Sequence, residues 1–145
     1  MILKSNVFAN GEDIPKKYTC DGIGVNPPLT ISEVPGEAKS LVLIMDDADA
    51  SGGTWLHWSL WNIDSTTREI TENSIPVGAS EGETDFGTSG YGGPCPPAGV
   101  HRYIFRLYAL DRVLNLESGA KLREIKVAIE DHIIDETRLT GVYGR

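Results

Sequence analysis

The sequence predicts an all-β-dominated domain with one helix toward its C-terminus. Three observations carry that prediction. Glycine and proline, 16 and 8 in 145 residues, are spread along the chain and punctuate short segments, as an all-β domain requires. Three of those segments are rich in aromatic and branched residues, at positions 40–47 (SLVLIMDD), 54–63 (TWLHWSLWNI) and 101–110 (HRYIFRLYAL). Only residues 119–136 show helical spacing, with Leu122, Ile125, Ile129 and Ile133 separated by charged residues.

The elements follow in order. Weaker strands are expected near the N-terminus and around residues 29–31. The three strong strands come next, the second and third separated by residues 80–99. That stretch is dense in Gly and Pro and reads as a long loop, a type that is usually functional or disordered. The helix packs its apolar stripe on the sheet. Gly141 and Gly144 mark an irregular C-terminal end. No repeat or linker divides residues 1–145, so one domain is expected.

Composition narrows the function classes. Hydrophobic residues are 40% and charged residues 23%, which suits a packed core. The net charge of −8 argues against nucleic acid and anionic membrane as partners. A local anion site is still compatible with it, because nearby groups set a pocket's field. No apolar run reaches the length of a membrane span, and the N-terminus lacks a signal-peptide core, so a cytoplasmic protein without integral membrane association is expected. Cys20 and Cys95 fit neither a zinc nor a CxxC redox pattern. The preferred reading is two buried or half-buried thiols; a disulfide between them is the alternative.

Strand alternation points to a site. In residues 54–63 it puts Trp55, His57, Ser59 and Trp61 on one face and Leu56, Trp58 and Leu60 on the other. His101, Tyr103 and Phe105 share a face of the third strand, and Met45, Asp47 and Asp49 share a parity in the first. Two of the three histidines thus join a tyrosine hydroxyl, an indole N–H and one or two carboxylates. Inward polar groups are costly unless they satisfy one another or a ligand. Carboxylates would fix the histidines as donors, and the histidines, Tyr103 and Trp55 would donate to an oxyanion. Gly92 and Gly93 beside Pro94 would let backbone approach it. Arg102 and Arg106 fall on the opposite face and are expected to pair with surface carboxylates; His132, in the helix, reads as structural. Taken singly, either histidine is more often a structural residue than a ligand.

Two long blocks carry a resemblance. LVLIMDDADASGGTWLHWSLWNID and FGTSGYGGPCPPAGVHRYIFRLYALD resemble the paired motifs of the phosphatidylethanolamine-binding protein family, in its bacterial and archaeal Raf-kinase-inhibitor-like branch. YTCDGIGVNPPLTISEVPGEAKSLVLIM is similar to the family's opening and LTGVYGR to its ending, so the likeness spans the chain in order. The resemblance implies a two-sheet antiparallel β-sandwich-like fold with few helices. It also implies a pocket for phosphate-like anions or a phosphoethanolamine head group. Matched residue by residue, that pocket would comprise Asp47, Trp55, His57, His101 and Tyr103, with Gly93 and Pro94 at its rim, Asp49 as a supporting acid and Tyr143 as a weaker candidate. The family's DPDAP reads Asp47-Ala48-Asp49-Ala50-Ser51 here, without either proline, which predicts a looser loop. Thr84 and Ile31 also depart from the family's usual Asn and Trp.

Three function classes are open at this point. The leading one is a non-catalytic binding protein for a small anion: phosphate, a phosphoethanolamine-like group or a phosphorylated side chain. The second is a regulator of a kinase or serine protease, docking through an apolar rim in residues 80–99 that includes Phe86 and Tyr91. An enzyme using the His–Asp groups or a Cys95–His101 pair ranks third. Asp47, His57 and His101 are weak grounds for a cation site, so no metal or cofactor is expected. Homodimerisation is left open.

Overall fold

The computed structural model describes residues 1–145. Eight strands and one helix follow in order: β1 (Ile2–Lys4), β2 (Leu29–Ser32), β3 (Ser40–Asp47), β4 (Trp55–Ile63), β5 (Glu69–Ile70), β6 (Ser80–Glu81), β7 (Val100–Leu110), α1 (Leu122–Ile129) and β8 (Ile133–Gly144). They form a three-stranded sheet, β1-β2-β5, and a five-stranded sheet, β6-β4-β3-β7-β8. Every pairing is antiparallel.

The apolar run of β3 is explained by its position. Every residue of Ser40–Asp47 is buried, because both faces of this central strand are covered. Leu41, Leu43 and Met45 enter a core with Leu29 and Ile31 of the small sheet. Val42 and Ile44 enter a second core with Ile125 and Ile129 of α1. The large sheet is therefore the middle of three layers, and its inner strands read as continuous apolar runs.

The helix is shorter than its spacing predicts. It ends at Ile129, Glu130 is extended, and Asp131 turns the chain at φ 65°. Ile133 belongs instead to β8, whose residues Ile133–Gly144 pair along the whole of β7. Four apolar positions at helical spacing thus straddled a turn. The C-terminal end is likewise regular strand, and Gly141 is there for packing: a Cβ on it would come within 2.5 Å of Ile14 and 2.9 Å of Phe8. The first residues of the 80–99 loop also form strand, as Ser80 and Glu81 pair with Trp61 and Leu60.

Alternation along β4 fails at two irregularities. Met45 faces Trp58 while Asp46 faces Leu56, which leaves His57 as an extra residue in a bulge. A second shift leaves Trp61 and Asn62 between the Leu43–Leu60 and Leu41–Ile63 pairs, with Asn62 at φ 55°. Leu56 and Trp61 therefore share the core under α1, whereas Trp58 and Leu60 face the small sheet. The expected single face of Trp55, His57, Ser59 and Trp61 is split in two.

Cys20 and Cys95 are joined in a disulfide, with Cα atoms 5.4 Å apart, and both residues are exposed. The expectation of two free thiols is corrected. Two loops distant in sequence meet here, which fixed spacing could not reveal. By chain entropy, closing a loop of 75 residues stabilises the fold by about 4.5 kcal/mol. No helix is long and apolar enough to cross a membrane.

Candidate functional site

A cavity of about 290 Å³ opens at the end of β3, β4 and β7. Asp47, Trp55, His57, His101 and Tyr103 line it, together with Phe86, Cys95, Pro97, Ala50 and Ser51. The bulge in β4 brings His57 there, by turning it to the same side as Tyr103.

Asp47, the last residue of β3, is 4% exposed, and both its oxygens are engaged. Oδ2 accepts the Nδ1–H of His101 at 2.7 Å, and Oδ1 accepts the backbone N–H of Asp49 at 2.8 Å. This bond assigns the His101 proton to Nδ1 and leaves Nε2 available. His57 donates from Nδ1 to the Gly92 carbonyl at 2.6 Å, while the Gly92 N–H donates back to the His57 carbonyl at 2.8 Å. Burial lowers the pKa of His57 below the ordinary imidazole value, so its neutral form is favoured. Its ring meets Tyr103 and Phe86 edge-on, with centroids 5.2 and 5.1 Å away.

Tyr103 is the site's unsatisfied member. It is fully buried, and its hydroxyl has no hydrogen-bond partner. The Asp47 carboxylate and the Cys95 backbone lie near the hydroxyl but outside hydrogen-bond geometry. Burial first, then the charge and approach of Asp47, raises the Tyr103 pKa, so it stays a neutral O–H donor. Ser59 Oγ and Trp61 Nε1 are also buried without partners. Trp61 lies under α1, however, whereas Tyr103 lines the cavity. A buried donor without a partner costs roughly 1–3 kcal/mol, and a ligand oxygen would recover it.

Asp49 braces the site from outside. It does not line the cavity; its carboxylate takes Arg102 Nε at 2.9 Å, Nη2 at 2.8 Å and the Arg102 backbone N–H at 2.9 Å. Those bonds hold its pKa at about 2. The loop that lacks two prolines is therefore fixed by an ion pair and by the Asp49 amide on Asp47. Arg106 pairs with buried Asp46 at 2.9 Å on the other face, so both arginines find carboxylates.

Four sequence assignments change. Gly93 lies behind the wall, where a Cβ would press on the Thr19 backbone at 3.0 Å. Pro94 is buried, and its carbonyl accepts the Cys20 N–H at 3.1 Å. Neither lines the cavity. Tyr143 pairs with His101 across β7 and β8, but its hydroxyl donates to Asp21 at 2.6 Å, outside the cavity. Phe86, 46% exposed, stands edge-on to Trp55, 40% exposed, at the mouth. Tyr91 is not at that rim; its hydroxyl donates to the Tyr18 carbonyl at 2.8 Å. Cys95 and Pro97, absent from the expected site, sit in its wall. The residues flanking His101 in sequence were the available signal for them.

A hollow of about 330 Å³ on the opposite face is lined by Arg106, Tyr108, Glu136, Thr137 and Arg138. Arg106 is already satisfied by Asp46 there, and none of the unpartnered buried atoms lies in it.

Comparison with known proteins gives the same fold. The phosphatidylethanolamine-binding protein family matches residues 4–144. A UPF0098 protein of Methanothermobacter thermautotrophicus is 49% identical, over 100% of this chain and 99% of its own. The crystal structure of a phosphatidylethanolamine-binding protein homolog from Chlamydia trachomatis superposes with a TM-score of 0.94 at 42% identity, covering 99% of this chain and 96% of that one. E. coli YbcL, described as a member of the mammalian family, gives a TM-score of 0.92 at 30% identity, covering 99% and 97%. With the family match, the fold and these relatives in agreement, the chain belongs to the phosphatidylethanolamine-binding protein family.

Proposed function

We propose that this protein binds, without turnover, a small oxyanion: phosphate or the phosphate of a phosphoethanolamine-like group or phosphorylated side chain. The observation that carries the reading is the Tyr103 hydroxyl, buried and unpartnered on a cavity wall beside two histidines. Tyr103 O–H is a donor to such an oxygen, and Nε2 of His101 and of His57, whose Nδ1 protons are taken by Asp47 and the Gly92 carbonyl, become donors when the rings are protonated. Cys95 is held in a disulfide and is not a free nucleophile, which supports binding over thiol catalysis. A cytoplasmic place requires a compartment that spares an exposed disulfide, as the cytosol of hyperthermophiles does.

The exposed Trp55–Phe86 pair favours a second, compatible reading. The anion is then carried by a protein partner, such as a kinase or protease, that packs on this rim. Calorimetry with inorganic phosphate and phosphoethanolamine, at constant ionic strength, tests the first reading. One saturable site supports it; heats that match dilution alone refute it.

A further inference from the structure

The wall of the cavity that carries Cys95 has no regular structure between Gly92 and Ala98. Its ties run in three directions, one of them from Arg145, whose Nη1 donates to Cys95 Sγ at 3.6 Å. Toward β4, Gly92 exchanges two hydrogen bonds with His57. Toward the 18–20 segment, the Tyr91 hydroxyl donates to the Tyr18 carbonyl, the Cys20 N–H donates to the Pro94 carbonyl, and Gly93 packs on Thr19. The single covalent tie is the Cys20–Cys95 disulfide. It joins the wall to a segment that does not line the cavity, and both cysteines are exposed to solvent. Small thiols can therefore reach it.

We propose that the Cys20–Cys95 crosslink is a redox latch that positions the cavity wall, so that a dithiol reductant loosens the wall and weakens anion binding. The inference rests on the anion-binding reading of the same cavity. The chemistry is balanced. One thiolate of the dithiol attacks a sulfur of the cystine, the S–S bond breaks, and a mixed disulfide forms. The displaced cysteine sulfur takes a proton. The second thiol then closes the reagent's own disulfide and releases the other cysteine. Two electrons pass from dithiol to protein, and two protons end on Cys20 and Cys95. The wall can then separate from Thr19, and the Cys20–Pro94 and Gly92–His57 hydrogen bonds open more often. Ligand sees only the fraction of molecules with the wall in place, and affinity falls by that fraction.

The test uses the intact chain, oxidised and then treated with dithiothreitol. Amide exchange is followed by NMR at Cys20 and Gly92, whose N–H groups make the two wall bonds, and at Met45 and Phe105 in β3 and β7. Phosphate affinity is measured in both states. Reduction is expected to speed exchange at Cys20 and Gly92 and leave Met45 and Phe105 unchanged. It should weaken phosphate by about tenfold if the wall keeps its place roughly a tenth of the time. Reoxidation restores both, and a Cys20→Ser/Cys95→Ser variant does not respond to the reductant. Unchanged exchange at Cys20 and Gly92 overturns the latch. So does acceleration at all four amides together, which would make the crosslink a staple of the whole fold. If exchange responds locally but the oxidised protein binds no phosphate, the latch geometry stands and the anion-binding reading fails.

Discussion

His101 Nδ1 lies 2.7 Å from Asp47 Oδ2, joining β7 to β3 at the mouth of the same cavity. The bond orients the imidazole and keeps a negative charge beside it. An anion entering the cavity therefore meets an imidazole already oriented, whose Nε2 becomes its donor once the ring is protonated, with little reorganisation left to make.

His101→Ala should weaken phosphate binding by about 1–3 kcal/mol, the loss of a charge-assisted hydrogen bond. Fold stability should change less than in Phe105→Ala, where emptying a fully buried ring costs about 3–5 kcal/mol. Calorimetry and denaturant unfolding on both variants give the two numbers. The assignment of His101 fails if its variant binds as tightly as wild type while still folded.

Tyr103→Phe separates ligand from fold in the other direction. The hydroxyl has no partner in the free protein, so removing it should leave stability unchanged or raise it by up to about 1 kcal/mol. Phosphate affinity should fall by about 0.5–1.5 kcal/mol, the worth of one neutral hydrogen bond. A marked loss of stability would mean that the hydroxyl is satisfied within the protein.

The lowered pKa of His57 has two consequences of opposite sign. The unfolded imidazole takes up its proton near about pH 6.5, and the buried one only at lower pH. Stability from neutral His57 is complete above about pH 6.5 and is lost as pH falls through the folded value. A bound oxyanion favours the charged imidazole, so affinity should rise over the same fall in pH. Sulfate is the proper probe, because its charge is fixed across this range. Thermal unfolding without anion, compared with His57→Gln, isolates the first effect. A sulfate affinity that stays flat or falls as the medium is acidified contradicts the second.

Gly141→Ala tests the packing that fixes β8. A methyl group there meets Ile14 at 2.5 Å and Phe8 at 2.9 Å, so overpacking should cost about 1–3 kcal/mol. Denaturant midpoints measure it. No loss would show that the segment bearing Ile14 shifts freely away from β8.

The middle layer was the most legible part of the fold. β3 and β7 announce themselves as apolar runs, and β4 lies within a residue of its expected start. β8 was hidden for two reasons. Ile133 completed a helical period by coincidence, and Gly141, a strand breaker in isolation, is required by Phe8 and Ile14. In the site, Asp47, Trp55, His57, His101 and Tyr103 were all legible and do line one cavity. The route to His57 was only partly sound, because alternation placed it with Ser59 and Trp61 while a bulge sets it apart from them. Gly93, Pro94 and the disulfide depend on how two distant loops meet, and no spacing rule encodes that.

The most direct test of the anion site is an NMR titration of the three histidine ring signals with phosphate. His132 is an internal reference, hydrogen-bonded to Asp111 at 2.9 Å and outside the cavity lining. Saturable shifts of His57 and His101, with His132 still, are the predicted result. Three still signals, or three that drift together as salt is added, would contradict an oxyanion site in this cavity.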